Sequence, residues 1–127
     1  MTELKEEKIL IVDDDLSIVK LLEIKLKQWG YSVVTTTDPS QCFQVAKEEH
    51  PDLVLLDFMM PGFGLDGISV CFKLKQTYEI PVIMITALDS SSTRHDATLF
   101  GVSEYITKPI DFSELKYKIE KVLKKKE

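Results

Sequence analysis

The chain has 127 residues, of which 44% are hydrophobic and 29% are charged, and its formal net charge is −5. This length suits a single domain, residues 1–127, that buries a core without disulfides or structural metals. The negative charge argues against direct binding to nucleic acid. No apolar run approaches the roughly 18 residues of a membrane span, and residues 1–8 are too polar for a secretory signal. We therefore expect a cytoplasmic protein that does not bind a membrane.

Short apolar runs alternate with helix-length segments along the whole chain. Four of these runs have the composition of buried parallel strands, and residues 31–36 are rich in the β-branched residues that favour strands. Five alternations of strand and helix are typical of a parallel sheet covered by helices on both faces. In chain order we expect strand 8–12, helix 16–29, strand 31–36, helix 38–50, strand 52–57, a helix from residue 66 or 67 to 77, strand 80–86, helix 89–100, strand 104–107 and a last helix from residue 111 onward.

Boundary signals support several of these helices. Asp15 is placed to cap the first helix, and Gly30 supplies the turn that follows it. Asp38 and Pro39 have the residue types of a cap and a first helical position. Either Asp111 or Ser113 caps the last helix. The expected core positions are Leu16, Val19, Leu22, Leu26 and Trp29 in the first helix, and Leu115, Ile119, Val122 and Leu123 in the last.

Polar side chains follow four of the predicted strands at the point where each strand ends. In an open α/β sheet, ligands bind at the carboxyl ends of the strands. The polar residues should therefore converge on one patch. Clustered carboxylates favour a cation, whereas a lysine and a hydroxyl beside them favour an anion. A metal-assisted phosphoryl site satisfies both demands, and its candidate residues are Asp13, Asp14, Asp57, Thr86 and Lys108.

Four motifs together make the sequence resemble a response-regulator receiver domain over essentially the whole chain. They are Asp13-Asp14 after the first strand, the segment from Asp57 to Pro61, Thr86-Ala87, and Lys108-Pro109. The resemblance implies a flavodoxin-like (βα)5 fold with strand order 2-1-3-4-5. It also suggests a cis peptide bond before Pro109.

The resemblance further implies a role for each site residue. Asp57 would accept the phosphoryl group, and Mg²⁺ would be held by Asp13, Asp14, Asp57 and the backbone carbonyl of Met59. Lys108 and Thr86 would contact phosphoryl oxygens, and Thr86 with Tyr105 would form the switch. An aromatic residue at position 105 could equally be a half-buried cover without a switching role.

A receiver of this kind is a signalling switch that changes protein–protein binding and has no enzymatic activity beyond its own phosphorylation and dephosphorylation. The chain has no glycine-rich nucleotide loop, so a sensor histidine kinase or a histidine phosphotransfer protein would supply the phosphoryl group. A downstream protein would bind the face of the fourth helix, fifth strand and fifth helix, with the receiver as a monomer or a phosphorylation-dependent homodimer. The alternative is the excised receiver domain of a larger transcription factor or signalling enzyme. The sequence does not identify the kinase, the signal or the target.

The loop after Asp57 departs from the family pattern, because it is two residues longer between Pro61 and Asp66. Glycines on both sides of Phe63 suggest a turn that presents this ring near the site. Either Phe63 shields the acyl phosphate or contacts the partner, or the insertion has no function. Met59 and Leu88 offer no polar group to orient an attacking water, so self-dephosphorylation should not be fast.

Other functional classes fit the sequence less well. A haloacid-dehalogenase-type hydrolase needs a second acid where Met59 stands, and a flavin carrier needs a phosphate loop where Asp13-Asp14-Asp15 would repel the phosphate. Cys42 and Cys71 lack a metal or redox spacing and are interpreted as buried thiols. His50 and His95 are expected at the surface.

Overall fold

A parallel sheet organises the parts of the chain that the computed structural model describes, residues 6–57, 67–87 and 101–125. Its strand order is β2-β1-β3-β4-β5, and every neighbouring pair is parallel. The predicted order 2-1-3-4-5 is confirmed. The strands are β1 (Lys8–Val12), β2 (Ser32–Thr36), β3 (Leu53–Asp57), β4 (Val82–Thr86) and β5 (Glu104–Thr107).

The described helices are α1 (Leu16–Gln28), α2 (Cys42–Glu49), α3 (Gly67–Tyr78) and α4 (Phe112–Lys125). The predicted helix 89–100 lies outside the described residues, so α4 is the last of the five helices expected from the sequence. None of the helices in the described ranges is long and apolar enough to cross a membrane.

Side-chain caps fix the starts of α1 and α4. A carboxylate oxygen of Asp15 accepts from the amides of Ser17 at 3.0 Å and Ile18 at 3.4 Å. At α4 the cap is Asp111 rather than Ser113, because Asp111 accepts from the amides of Ser113 and Glu114. These bonds satisfy donors that a helix start leaves without partners.

The end of α1 is a Schellman motif, as the position of Gly30 predicts. Gly30 has φ +95°, a backbone conformation that residues with a β-carbon rarely adopt. Its amide donates to the carbonyl of Lys27, and the next amide, of Tyr31, donates to the carbonyl of Leu26. The chain therefore turns directly from α1 into β2.

Two predictions about helices are wrong in detail. A 3₁₀ turn, Pro39–Gln41, precedes α2, and Asp38 caps that turn through the amide of Ser40 at 2.9 Å. Leu16 is not a core residue, since 55% of its surface is exposed. Leu16 is the first residue of α1, directly after the capping Asp15, and the buried face of this helix begins one turn later at Val19.

The sheet separates two hydrophobic cores, because successive side chains of a strand point to opposite faces. Ile9 and Ile11 of β1 pack with α1 and α4, whereas Leu10 and Val12 pack with α2 and α3. All residues of β3 and β4 are buried, as in central strands covered on both sides. The expected core face of α4 is confirmed at Leu115, Ile119, Val122 and Leu123.

The thiol of Cys42 is a buried member of the second core, as predicted. Burial raises its pKa to about 12, so the reactive thiolate is scarce at neutral pH. His50 is exposed, also as predicted. The side chain of Cys71 and the whole of His95 lie outside the described part of the chain.

Two adjacent leucines of α1 give a matched test of how this helix packs against the first core. We expect Leu22→Ala to lower the free energy of unfolding by about 2–5 kcal/mol, because it opens a cavity in the first core. Leu22 is 1% exposed and Leu21 is 45% exposed, so Leu21→Ala should cost clearly less, about 1 kcal/mol or below. Urea unfolding followed by the fluorescence of Trp29, the single tryptophan, measures both. Equal losses would contradict the orientation of α1.

Candidate functional site

The carboxyl ends of four neighbouring strands bring the predicted site residues together. Asp57 is the last residue of β3, Thr86 is the last of β4, and Asp13 and Lys108 directly follow β1 and β5. The strands are in matching register, with Asp57 beside Ile85 and Thr86 beside Thr107. Residues far apart in sequence therefore meet at one edge of the sheet.

The ammonium group of Lys108 bridges two buried carboxylates. Its Nζ donates to Oδ2 of Asp13 at 3.1 Å and to Oδ2 of Asp57 at 3.3 Å. Asp13 and Asp57 are 3% and 5% exposed. Buried carboxylates need paired positive charge, and Lys108 supplies it to both.

The backbone at the start of α1 orients Asp13. Its Oδ1 accepts from the amide of Asp15 at 2.9 Å, while its Oδ2 faces Lys108. Asp15 is itself held by its capping bonds to α1. Asp13 and Asp15 therefore differ in role, because Asp15 caps α1 whereas Asp13 points toward Asp57.

The charge state of Lys108 reflects the same contacts. Its partial burial alone would lower its pKa, but the charges of Asp13 and Asp57 and the hydrogen bonds to them outweigh burial. The pKa of Lys108 is therefore raised above its ordinary value of 10.5. The group is a permanent cation at physiological pH.

An acidic cluster beside Lys108 fits a divalent cation. One carboxylate oxygen from each of Asp13, Asp14 and Asp57 lies within 4.8 Å of the others. Carboxylate oxygens are the donors that Mg²⁺ prefers, usually together with waters. Among these groups the carboxylates outnumber the ammonium of Lys108 by two charges. The donor set and the charge both suit Mg²⁺, although Met59, the predicted carbonyl ligand, lies outside the described residues.

The remaining predicted site residues lie on β4 and β5. Thr86 is fully buried, and its backbone carbonyl accepts from the amide of Lys108 at 2.8 Å. Tyr105 is partly buried against the second core, a position compatible with both roles considered for it. The Lys108–Pro109 peptide bond is cis, as the resemblance suggested. The hypotheses on Phe63 and Leu88 concern residues outside the described ranges and stay predictions.

Sequence reasoning missed an apolar groove that borders the site. Its volume is about 300 Å³, and Lys108 lies between it and the acidic cluster. The packing of Ile110 could have been predicted from the sequence, since an apolar residue just before a helix cap often packs against the first turns of that helix. The groove is lined by Ile18, Leu21, Leu22, Lys108, Pro109, Ile110 and Phe112.

Comparison with known proteins gives consistent matches over most of the chain. Residues 9–120 match the family model of the response regulator receiver domain. Proteins described as probable transcriptional regulator ycf27 are 41% identical over 122 residues in Porphyridium aerugineum and 41% identical over 125 residues in Cyanophora paradoxa. These alignments cover 96% and 98% of this chain but 50% and 52% of those proteins. The chain therefore spans about half the length of these curated relatives.

Solved structures show the same architecture. The BeF3-activated N-terminal receiver domain of Klebsiella pneumoniae RstA has a TM-score of 0.86 and 32% identity, covering 92% of this chain and 98% of that one. The receiver domain of Francisella response regulator 1452 has a TM-score of 0.87 and 30% identity, covering 96% and 100%.

The ion pairs of Lys108 predict a specific pH dependence of stability. Because its pKa is raised on folding, its stabilising contribution is complete below its ordinary value of 10.5 and is lost as the pH rises through the folded value. Without divalent cations, Lys108→Gln should be less stable than wild type at neutral pH, and the difference should shrink above pH 10.5.

Denaturant titrations with a chelator measure this difference. Lys20→Gln, at an exposed position of α1, is the control. Its stability should stay close to that of wild type at every pH in this range. A difference between wild type and Lys108→Gln that stays constant through the alkaline range would contradict the proposed ion pairs.

Proposed function

Because the chain belongs to the response regulator receiver domain family, we propose that it is a phosphorylation switch in which Asp57 accepts the phosphoryl group. One observation supports this assignment above the others. Lys108 contacts Asp57 and Asp13 at 3.3 and 3.1 Å, directly beside the acidic cluster. In this proposal the same edge of the sheet supplies Asp57 as the nucleophile, Lys108 as a fixed cation and the acidic cluster as metal ligands.

The residues suit transfer of a phosphoryl group to a carboxylate. An oxygen of Asp57 forms a bond to phosphorus while the bond from phosphorus to its donor breaks, and the electron pair leaves with the donor. Lys108 is placed to stabilise negative charge on the phosphoryl oxygens. Asp13, Asp14, Asp57 and the carbonyl of Met59 would hold Mg²⁺, which neutralises further charge on the transferred group. Thr86 would bond a phosphoryl oxygen after transfer.

The donor in this proposal is a phosphohistidine on a sensor histidine kinase or a histidine phosphotransfer protein. A carboxylate is a weak nucleophile, so it requires a reactive phosphoryl donor. The family acts in two-component signalling, and this assignment makes the chain the accepting partner. Its chemistry is limited to its own phosphorylation and dephosphorylation.

Phosphorylation would add about 1.5 to 2 negative charges at Asp57. We propose that Thr86 and Lys108 are drawn toward this charge and that Tyr105 responds at the middle of β5. The population then shifts toward a second arrangement of the surface that includes β5 and α4. A downstream protein binds that surface, and the receiver itself is a monomer or a phosphorylation-dependent homodimer.

A second candidate is the receiver part of a larger transcriptional regulator. It is favoured by the match to proteins about twice as long that are described as probable transcriptional regulators. Contact with DNA would then belong to the other half of such a protein. The expectation that residues 1–127 do not bind nucleic acid directly is compatible with this arrangement.

Intact mass spectrometry tests the proposed acceptor. After incubation with Mg²⁺ and a small acyl phosphate donor, wild type should gain the mass of a single phosphoryl group. Asp57→Asn should gain none, because an amide is not a nucleophile for phosphorus. Asp52→Asn, next to the opposite end of β3, is the matched control and should behave as wild type. An adduct of equal yield on Asp57→Asn, or one that forms fully with a chelator present, would contradict the assignment.

A further inference from the structure

The strand that leads to Lys108 lies at an edge of the described sheet. β5 has four residues and is the last strand in the strand order. Within the described sheet it pairs with β4. A strand supported from one side is less constrained than a central strand. The position of Lys108, which follows β5 directly, depends on what else holds this strand.

The hydrogen-bond pattern shows where the second support acts. The amide of Lys108 donates to Thr86 on β4. Backbone groups of alternate residues in a strand point to the same neighbour, so Glu104, Ile106 and Lys108 address β4. The carbonyl of Tyr105 then points away from β4. Nζ of Lys118 on α4 donates to that carbonyl at 2.8 Å.

A network of charges holds Lys118 in place. Its ammonium lies 3.2 Å from Glu114 on its own helix and 3.8 Å from Glu104 on β5. Glu104 also pairs with Lys121 at 3.2 Å. The side chains of Lys118 and Glu104 are only 20% and 19% exposed, so these contacts are partly shielded from solvent. Lys118 contacts the backbone of β5, whereas the contact of Lys121 is with the Glu104 side chain.

We propose that Lys118 is a positioning residue for Lys108, acting by fixing the backbone of β5 from the side opposite β4. Tyr105 is three residues before Lys108 on this short strand. The Tyr105 carbonyl is hydrogen-bonded to α4 and the Lys108 amide to β4, and together these bonds direct the ammonium of Lys108 between Asp13 and Asp57. Loss of the Lys118–Tyr105 bond would make the position of that ammonium less fixed. Charge stabilisation during transfer is sensitive to this position.

Rates of phosphorylation by a small acyl phosphate with Mg²⁺ test this inference, which rests on the proposed function. Lys118→Met keeps the aliphatic stem but removes the donor, and it should slow phosphorylation at least about threefold. Lys118→Arg restores a donor and should return the rate to near that of wild type. Lys121→Met removes the other cation beside Glu104 and should leave the rate unchanged.

A double-mutant cycle separates positioning from general destabilisation. If Lys118 acts through Lys108, Lys118→Met should have no further effect on the rate in a Lys108→Gln background. Equal slowing by Lys118→Met and Lys121→Met, or an undiminished effect of Lys118→Met in the Lys108→Gln background, would overturn the proposal.

Hydrogen exchange gives a readout that does not require phosphorylation. The Lys108 amide should exchange faster in Lys118→Met than in wild type or Lys121→Met, because its bond to Thr86 opens more often. Unchanged exchange would overturn the positioning role even if the rates fell. If wild type is not phosphorylated at all, the proposed function fails, and the exchange experiment still decides whether Lys118 positions Lys108.

Discussion

Contact between one ammonium and two buried carboxylates is the interaction on which the site depends. Asp13 and Asp57 carry like charges and are almost fully buried, so each needs a positive charge beside it. Lys108 makes their proximity possible by donating to both. With Asp14 added, the group still has more negative than positive charge, and this imbalance is what a divalent cation or a change of charge at Asp57 can act upon.

The fold supports this interaction through elements that are stable for other reasons. Apolar side chains bury β1 and β3 between two helical layers, which fixes the strand ends that present Asp13 and Asp57. The capping of α1 by Asp15 sets the turn whose amide orients Asp13. On the other side, β5 is held between β4 and Lys118. Each charged group at the site is therefore positioned by backbone that the hydrophobic cores and helix caps have already ordered.

Much of this arrangement could be predicted from the sequence, because buried strands are continuous apolar runs that end abruptly at polar residues. Asp57 after Leu53-Val54-Leu55-Leu56 is an example, and the parallel topology then brings the strand ends together. Local signals were sufficient for Asp15 and Gly30, whose hydrogen bonds are made within a few residues.

The features that escaped prediction depend on tertiary position. Leu16 fits the apolar spacing of the helix, but it is the first residue of α1, one turn before the buried face begins at Val19, and it is exposed. The short turn before α2 is a 3₁₀ segment. The residue preferences at Asp38 and Pro39 do not distinguish such a segment from the start of an α-helix. Lys118 resembles any solvated lysine of an amphipathic helix until the carbonyl of Tyr105 is placed beside it.

Calorimetric titration with Mg²⁺ shows whether the carboxylates gathered around Lys108 form a cation site. Wild type should bind a single Mg²⁺, and Asp13→Asn should weaken binding by about tenfold or more, since it removes a charged ligand. Asp15→Asn changes the same formal charge two residues away but keeps the helix cap, and its affinity should stay close to that of wild type. Equal weakening by both substitutions, or no effect of Asp13→Asn, would show that Asp13 is not part of a cation site.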